Sequence, residues 1–437
     1  MQLLQTKNFL FSFKFPLHFG HARIFSKSFA IGIKILCVFY LNSYIINKVS
    51  MNGRKYSDKI DYEIADPLKK YARKLFLPTL KHTESFGIKI DPDSIGEPAT
   101  IIRALNNLDV AINIEGPGTK NRIAEDTYQL SRKISIAEQI GKAKLFRNIA
   151  KDAVASSVND LLAGYSDVVA YLIFLASGSY SYFGNKKGLN KKTKELFKGY
   201  RETADEIGFA IPGGETQALP RIVYNNSIVL AGTSFGILHK NAQPIGGVNI
   251  KEGDRIVLFP ANGVHCNGIS KIADLAAELE DGWFTVLPDG TEFGESVLRP
   301  TFIYTRPVIE MLDKEIPIHY MGPITGHGWK KIMRAKKAGE FKYVIEQVPE
   351  LSALYEFLIS EGAKHGFDVS NHENYSVWPM GTGWFAAVDK QYVEEMREIA
   401  KRHNLEIFDY GHVEKGERSV VLPVEQDGKK VVYMPYA

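Results

Sequence analysis

The sequence predicts a mixed α/β protein built as two domains, and three observations carry that prediction. From residue 55 onward, short apolar runs with strand character alternate with amphipathic helical stretches. A polar, turn-rich stretch over 239–251 (HKNAQPIGGVNIK) divides the chain. The chain has 437 residues, 45% hydrophobic and 24% charged, enough to bury more than one core. The expected division is 51–244 and 245–437, preceded by a basic extension over 1–50.

The elements follow in order. Residues 172–176 form an apolar run ending near Gly178, a buried-strand pattern. Over 191–207, Leu196, Tyr200, Ala204 and Ile207 recur at helical spacing, and Gly208 stops the helix. Residues 209–211 read as a strand, with 212–216 (PGGET) as the loop after it. Residues 221–224 and 227–230, joined by Asn225-Asn226, read as a hairpin. Residues 255–259 form a strand after the Gly253-Asp254 turn, and 269–279 a helix closed by Asp281-Gly282. Near the C-terminus, 384–388, 392–400 and 405–408 read as strand, helix and strand. The lysine-rich stretch 186–192 reads as a surface loop whose charges are solvated.

Residues 1–50 hold six Lys/Arg and no Asp or Glu, so the remainder carries 48 basic against 50 acidic residues. A near-neutral body gives no reason to expect a nucleic-acid partner. The longest apolar run of the first 50 residues, 35–41, is far short of a membrane span, so no membrane partner is expected either. A basic, acid-free leader resembles an organellar transit peptide. The reading preferred here is an over-extended start, with Met51 opening the protein and a cytoplasmic location. Of two cysteines only Cys266 lies in the body, so no disulfide forms within it, which suits a reducing compartment. There is no HExxH pattern for a hydrolytic zinc site and no Walker A sequence.

Five clusters carry candidate chemistry. Segment 114–120 (IEGPGTK) places a carboxylate (Glu115), two glycines (Gly116, Gly118), a hydroxyl (Thr119) and an ammonium (Lys120) within six residues. Glycines let backbone N–H groups approach anionic oxygens, lysine adds a compact positive charge, and a carboxylate can hold Mg2+. The same segment also suits an ordinary turn. Asn159 and Asp160 precede an apolar run, where Asp160 either starts a helix or serves as a second metal carboxylate, with Asp152 as a possible third. Gly214 and Glu215 sit in a loop after a strand, a place where α/β proteins keep active groups. The stretch 262–268 (NGVHCNG) lies between a strand and a helix, a ready anion site, and His265 within it either handles protons or satisfies local hydrogen bonds. Segment 324–328 (ITGHG) offers backbone donors and the Thr325 hydroxyl.

Taken in order, these clusters resemble the aminoimidazole ribonucleotide (AIR) synthase family, the phosphoribosylformylglycinamidine cyclo-ligases. The family's TDGVGTK corresponds to IEGPGTK, its VNDL to residues 158–161, and its GGET…P to 213–216 with Pro220. Gly263, His265, Asn267, Gly268 and Ser270 match a loop motif; Leu298, Pro300, Thr301, Ile303 and Tyr304 match L-x-PT-x-IY. ITGHG stands for ITGGG, Met380 to Gly383 for MGIG, and Tyr56 to Asp61 resembles a segment near the family's start. The departures are Glu115 for Asp, Pro117 between the loop glycines, Pro323 for a histidine, His327 for a glycine, and Trp378-Pro379 before the MGTG turn.

The resemblance implies a two-domain AIR synthase-like α/β (α+β) fold, with the N-terminal sheet forming a barrel across a homodimer and an α/β C-terminal domain. It implies an ATP-dependent ligase of purine biosynthesis, with ATP and Mg2+ as cofactors and a small-molecule ribonucleotide as substrate. Glu115, Asp160 and Asp61 are then expected to bind metal, and His265, Lys120 and Asp160 to be catalytic. Gly116, Gly118, Thr119, Lys120, Asn159, Gly214, Glu215, Asn267, Gly268 and Thr325 are expected around the nucleotide and phosphates. Two alternatives stay open at this point: a related enzyme phosphorylating a different substrate, and a non-catalytic nucleotide-binding paralogue.

Overall fold

Two sheets lie on either side of the 239–251 stretch in the computed structural model, which describes residues 54–55, 89–95, 97–103 and 108–435. The expectations for Asp61 and for Tyr56 to Asp58 lie outside the described residues. The first sheet has six strands: β1 (Lys89–Ile90), β2 (Thr100–Arg103), β3 (Val110–Glu115), β4 (Ser166–Ser177), β5 (Gly214–Ala218) and β6 (Ile228–Leu238). Their spatial order is β1-β2-β3-β6-β4-β5, antiparallel throughout except for the parallel β4–β5 pair. The sheet is open, with β1 and β5 as its edges; no closed barrel is present among the described residues.

Four helices follow the same half: α1 (Lys120–Ser131), α2 (Ile136–Lys142), α3 (Leu145–Ala163) and α4 (Lys191–Ile207). α3 is the central element, with most of its residues buried, and it packs on β3, β4, β6 and α4. α4 has the bounds expected from its apolar spacing. Leu196, Tyr200 and Ala204 are buried on α3, and Gly208 closes the helix at φ +100°. The opposite face of the sheet stays bare. Ile112 and Ile114 of β3, Leu172 of β4 and Val229 of β6 are 38, 69, 44 and 41% exposed.

The second sheet has seven strands: β7 (Arg255–Pro260), β8 (Tyr320–Pro323), β9 (Phe341–Ile345), β10 (Thr382–Val388), β11 (Phe408–Lys415), β12 (Ser419–Gln426) and β13 (Lys429–Tyr433). Their order is β8-β10-β7-β11-β9-β12-β13. Every residue of β10 is buried, which explains its continuous apolar run. Helix α5 (Ile269–Glu278) follows β7 through the 262–268 loop.

Four expectations change. The 221–230 hairpin does not form. β6 is paired on one side by β3 and on the other by β4, so 221–224 has no ladder to join. It turns instead, with Arg221 at φ +71° and the N–H groups of Ile222 and Val223 donating to Leu219 O. The PGGET segment is a loop only at Pro212 and Gly213, since Gly214–Ala218 is the parallel edge strand β5. The last strand of the C-terminal unit starts at Phe408 rather than at 405, because Leu405 N–H folds back to Ala400 O behind the preceding helix. Lys192 is not solvated. Its ammonium lies 3.0 Å from the Glu125 carboxylate and 3.4 Å from the centre of the Tyr182 ring, inside the core.

Candidate functional site

A cleft of about 440 Å³ opens between the two halves. α3 builds one wall. Ala155, Ser156, Asn159 and Asp160 recur at helical spacing and share one face of it, so all four line the cleft. Asp160 thus sits in the last turn of a 19-residue helix, not at a helix start as the polar residues before it suggested. Glu115 and Gly116 reach the cleft from the end of β3, and Glu97 from the segment before β2. The C-terminal half supplies the opposite wall through His265 to Asn267, Thr301, Pro323, Thr325 to His327, Lys331, Arg334 and Gly383.

The cleft is electrically two-sided. Burial first, and then the nearby Glu115 charge, push the Asp160 carboxyl up to about 7, against the pull of Lys331 and Arg334. Lys331 and Arg334 stand three apart at the end of a 3-10 turn, Gly328–Met333, where positions i and i+3 eclipse, so both face the same way. That turn is held from behind. Arg418 donates through Nε to Met333 O (2.9 Å) and through a terminal nitrogen to Ala335 O (2.9 Å), the carbonyls on either side of Arg334. Glu97, Lys331 and Arg334 were not anticipated from sequence. The only signal was the basic run after the glycine turn, KKIMRAKK.

The same α3 face ties the halves together. Asn148 donates to Leu298 O (2.9 Å) and Asn159 to Phe302 O (2.8 Å), while Asn159 Oδ1 accepts from Tyr304 N–H (3.1 Å). Asp152 accepts from both the N–H and the hydroxyl of Thr301, at 2.8 and 2.6 Å. Asn159 therefore lines the cleft and braces the 298–304 segment at once. Asp152 is fully buried, engaged by Lys120 and Thr301, and does not line the cleft.

Lys120 differs from its expectation. It is fully buried, its ammonium 2.8 Å from Asp152 Oδ2 and donating to Arg299 O at 2.8 Å, and it does not line the cleft. Nor do Gly214 and Glu215, which lie on edge strand β5. Two of the loop glycines are explained by packing. A Cβ on Gly116 would stand 2.5 Å from Leu230 O, and one on Gly214 would stand 2.2 Å from Ile173 O. Gly118 and Thr119 are exposed at the start of α1, where the Thr119 hydroxyl meets that of Ser270 at 3.2 Å. The glycine loop and the N-terminus of α5 are thus neighbours in space, with Gly268 opening the helix at φ +65° and Asn267 beside it in the cleft.

His265 does not have the near-neutral pKa that suited proton handling. Burial first, and the Lys120 charge next, push it down to about 3. Its Nε2 accepts from the backbone N–H of Asn262 at 3.2 Å. Cys266 is likewise silenced, its thiol pushed up to about 12 mainly by burial and then by Asp152. Among the described residues no group of three or more His, Cys, Asp and Glu is placed to hold a metal.

The two sheets and the cleft between them make this a mixed α/β protein with its candidate site between the two halves. The chain matches the family described as AIR synthase related protein in both domains, the N-terminal one over 96–238 and the C-terminal one over 251–422. It belongs to that family. It is 30% identical over 316 residues to a phosphoribosylformylglycinamidine cyclo-ligase of Methanococcus maripaludis strain C5, covering 70% of this chain and 83% of the relative. It is 29% identical over 342 residues to the protein of the same description from Pyrococcus furiosus, covering 78% and 89%. Among solved structures there is a distant likeness to a HypE-HypF complex, with TM-score 0.49 and 16% identity over 78% of this chain and 93% of that one. No helix among the described residues is long and apolar enough to cross a membrane.

Proposed function

We propose that this chain is an ATP-dependent cyclo-ligase that converts formylglycinamidine ribonucleotide to aminoimidazole ribonucleotide. The observation that carries the reading is the two-sided cleft, Asp160 on the α3 wall and Glu115 at the end of β3 against Lys331 and Arg334, in a chain 30% identical to a protein described as that enzyme. The chemical problem is an amide oxygen that leaves poorly. Transfer of the ATP γ-phosphoryl group to that oxygen releases ADP and makes phosphate the leaving group. The neighbouring nitrogen then attacks the carbon and closes the ring. Phosphoryl transfer asks the protein for alignment and charge neutralisation, not for covalent chemistry.

The residues present fit a magnesium ion. Asp160 and Glu115 raise the energy of each other's charge, which a divalent cation relieves, and Mg2+ takes one or two carboxylates with the rest of its sphere from substrate oxygens and water. Bound there, it would neutralise charge on the polyphosphate. Lys331 and Arg334 would hold an anionic group of the substrate opposite it, and Asn267, Gly268 and Thr325 would contribute backbone and side-chain donors. Gly118 and Thr119, beside the N-terminus of α5, would contact phosphate at the rim. Lys120 would act through Asp152 and the 299–301 segment rather than by touching phosphate.

A homodimer belongs to the same reading. The bare face carrying Ile112, Ile114, Leu172 and Val229 is a contiguous apolar sheet surface of the kind that buries against a second copy. An Ile114→Asp variant is expected to run as a monomer in light scattering; an unchanged mass would remove this face from the interface.

The test of the activity is turnover of the full-length chain with ATP, Mg2+ and formylglycinamidine ribonucleotide, following ADP and the aminoimidazole together. Equal amounts of both support the reading. ADP formation that does not respond to this substrate would favour a relative acting on another amide or acyl group, the reading suggested by His327 in a left-handed conformation inside the cleft.

A further inference from the structure

The cleft contains a histidine whose chemistry its surroundings have already fixed. His265 is 3% exposed and adopts φ +52°, a left-handed conformation that costs a non-glycine residue about 1–2 kcal/mol. A loop that carries glycines on both sides, Gly263 and Gly268, nevertheless keeps an imidazole at this point. One ring nitrogen is spoken for: Nε2 accepts the Asn262 N–H, so in the neutral ring the proton resides on Nδ1. The Cε1–Nδ1 edge lies over Gly383, where a Cβ would stand 2.3 and 3.2 Å from those two atoms. Both residues line the cleft, and none of the hydrogen bonds found among the described residues uses Nδ1. The Lys120 ammonium, locked to Asp152, lies close enough to oppose a second positive charge on the ring.

We propose that His265 is a permanently neutral hydrogen-bond donor, presenting Nδ1–H to a phosphoryl oxygen in the cleft, and that it neither accepts nor releases a proton during turnover. A neutral donor fits beside a phosphoryl group that gains and loses charge, because it stabilises the oxygen without competing for it as an acid. The left-handed backbone is what turns the Nδ1 edge toward Gly383 while Nε2 reaches back to its own loop. The inference rests on the proposed phosphoryl-transfer reading for the identity of the acceptor, but not for the state of the ring.

The experiment is a long-range ¹H–¹⁵N correlation on full-length protein labelled at histidine, with His265 assigned by the His265→Asn variant. The expected result is an Nδ1–H tautomer that persists from pH 5 to pH 8, with its resonance moving when inorganic phosphate or ATP is titrated in. An Nε2–H tautomer, a titration near neutrality, or a resonance indifferent to both ligands overturns the proposal. Kinetics supply the second arm. The Asn amide nitrogen occupies nearly the place of Nδ1, and Asn tolerates the left-handed region. His265→Asn should therefore retain ATP turnover to within about tenfold, while His265→Gln and His265→Ala lose about 10²–10³-fold in kcat with little change in KM for ATP. Equal loss in all three would mean that the ring acts as a base, and the proposal would fall. The tautomer is read without substrate turnover, so a failed cyclo-ligase assay and a failed donor assignment give separate results.

Discussion

Two sets of charges lie within the same interdomain region and behave in opposite ways. Lys120 and Asp152 are fully buried, 2.8 Å apart, with Thr301 and Arg299 completing their hydrogen bonds. Glu115, Asp160, Lys331 and Arg334 contain the same chemical groups but open onto the cleft, where Asp160 sits at about 7 because of burial and the Glu115 charge. Neither member of the closed pair lines the cleft. The open set lines a cavity of about 440 Å³. Residue type is the same in both; what separates them is that one pair is sealed in the core while the other set faces a cleft.

The comparison can be broken from either side. Asp160→Asn should cost the largest amount, about a hundredfold or more in ATP turnover, with the melting temperature unchanged or raised because a destabilised carboxylate has been removed. Parallel calorimetry and ADP release check this; a fall in stability matching the fall in turnover would place Asp160 with the closed pair instead. Lys120→Met should do the reverse, destabilising the fold by about 3–5 kcal/mol through the uncompensated Asp152, measured by denaturant unfolding. The double variant with Asp152→Asn should regain part of that loss. A smaller effect comes from His265. Its folded pKa of about 3 lies below the unfolded value near 6.5, so the unfolded chain binds the extra proton between them. Its contribution is complete above pH 6.5 and is lost as pH falls, by about 1.4 kcal/mol per unit. His265→Asn should flatten that part of the stability profile. The smallest expected signal is at Cys266, whose thiol, pushed up to about 12, should resist iodoacetamide at pH 8 while the protein remains folded; rapid labelling would show that the cleft wall opens.

Much of this is legible in the sequence alone. The spacing of Leu196, Tyr200 and Ala204 marked α4 to the residue, and Glu115, Asp160, His265 and Asn267 do converge on one cleft. Sequence reasoning went astray where a residue's role depends on a distant partner. The buried state of Lys120 is decided by Asp152 and by Arg299, 179 positions away. The glycines at 116 and 214 were read for their approach to phosphate, and the close neighbouring backbone that leaves no room for a Cβ at either position is visible only from sheet register. Lys331 and Arg334 escaped notice because their common direction comes from a 3-10 turn and from Arg418, more than eighty residues on, and neither leaves a periodic trace.

One feature of α3 sets the manner in which the cleft selects. The helix donates Asp160 to one wall, while Asn148, Asp152 and Asn159 fasten it to the 298–304 segment of the other half. A hinge between the halves would have to break those bonds together, each worth about 1 kcal/mol and more where a buried partner is stranded. The gap should therefore behave as a calliper set to one width, with a selectivity that depends on the dimensions of the ligand, not on how far the protein can close around it.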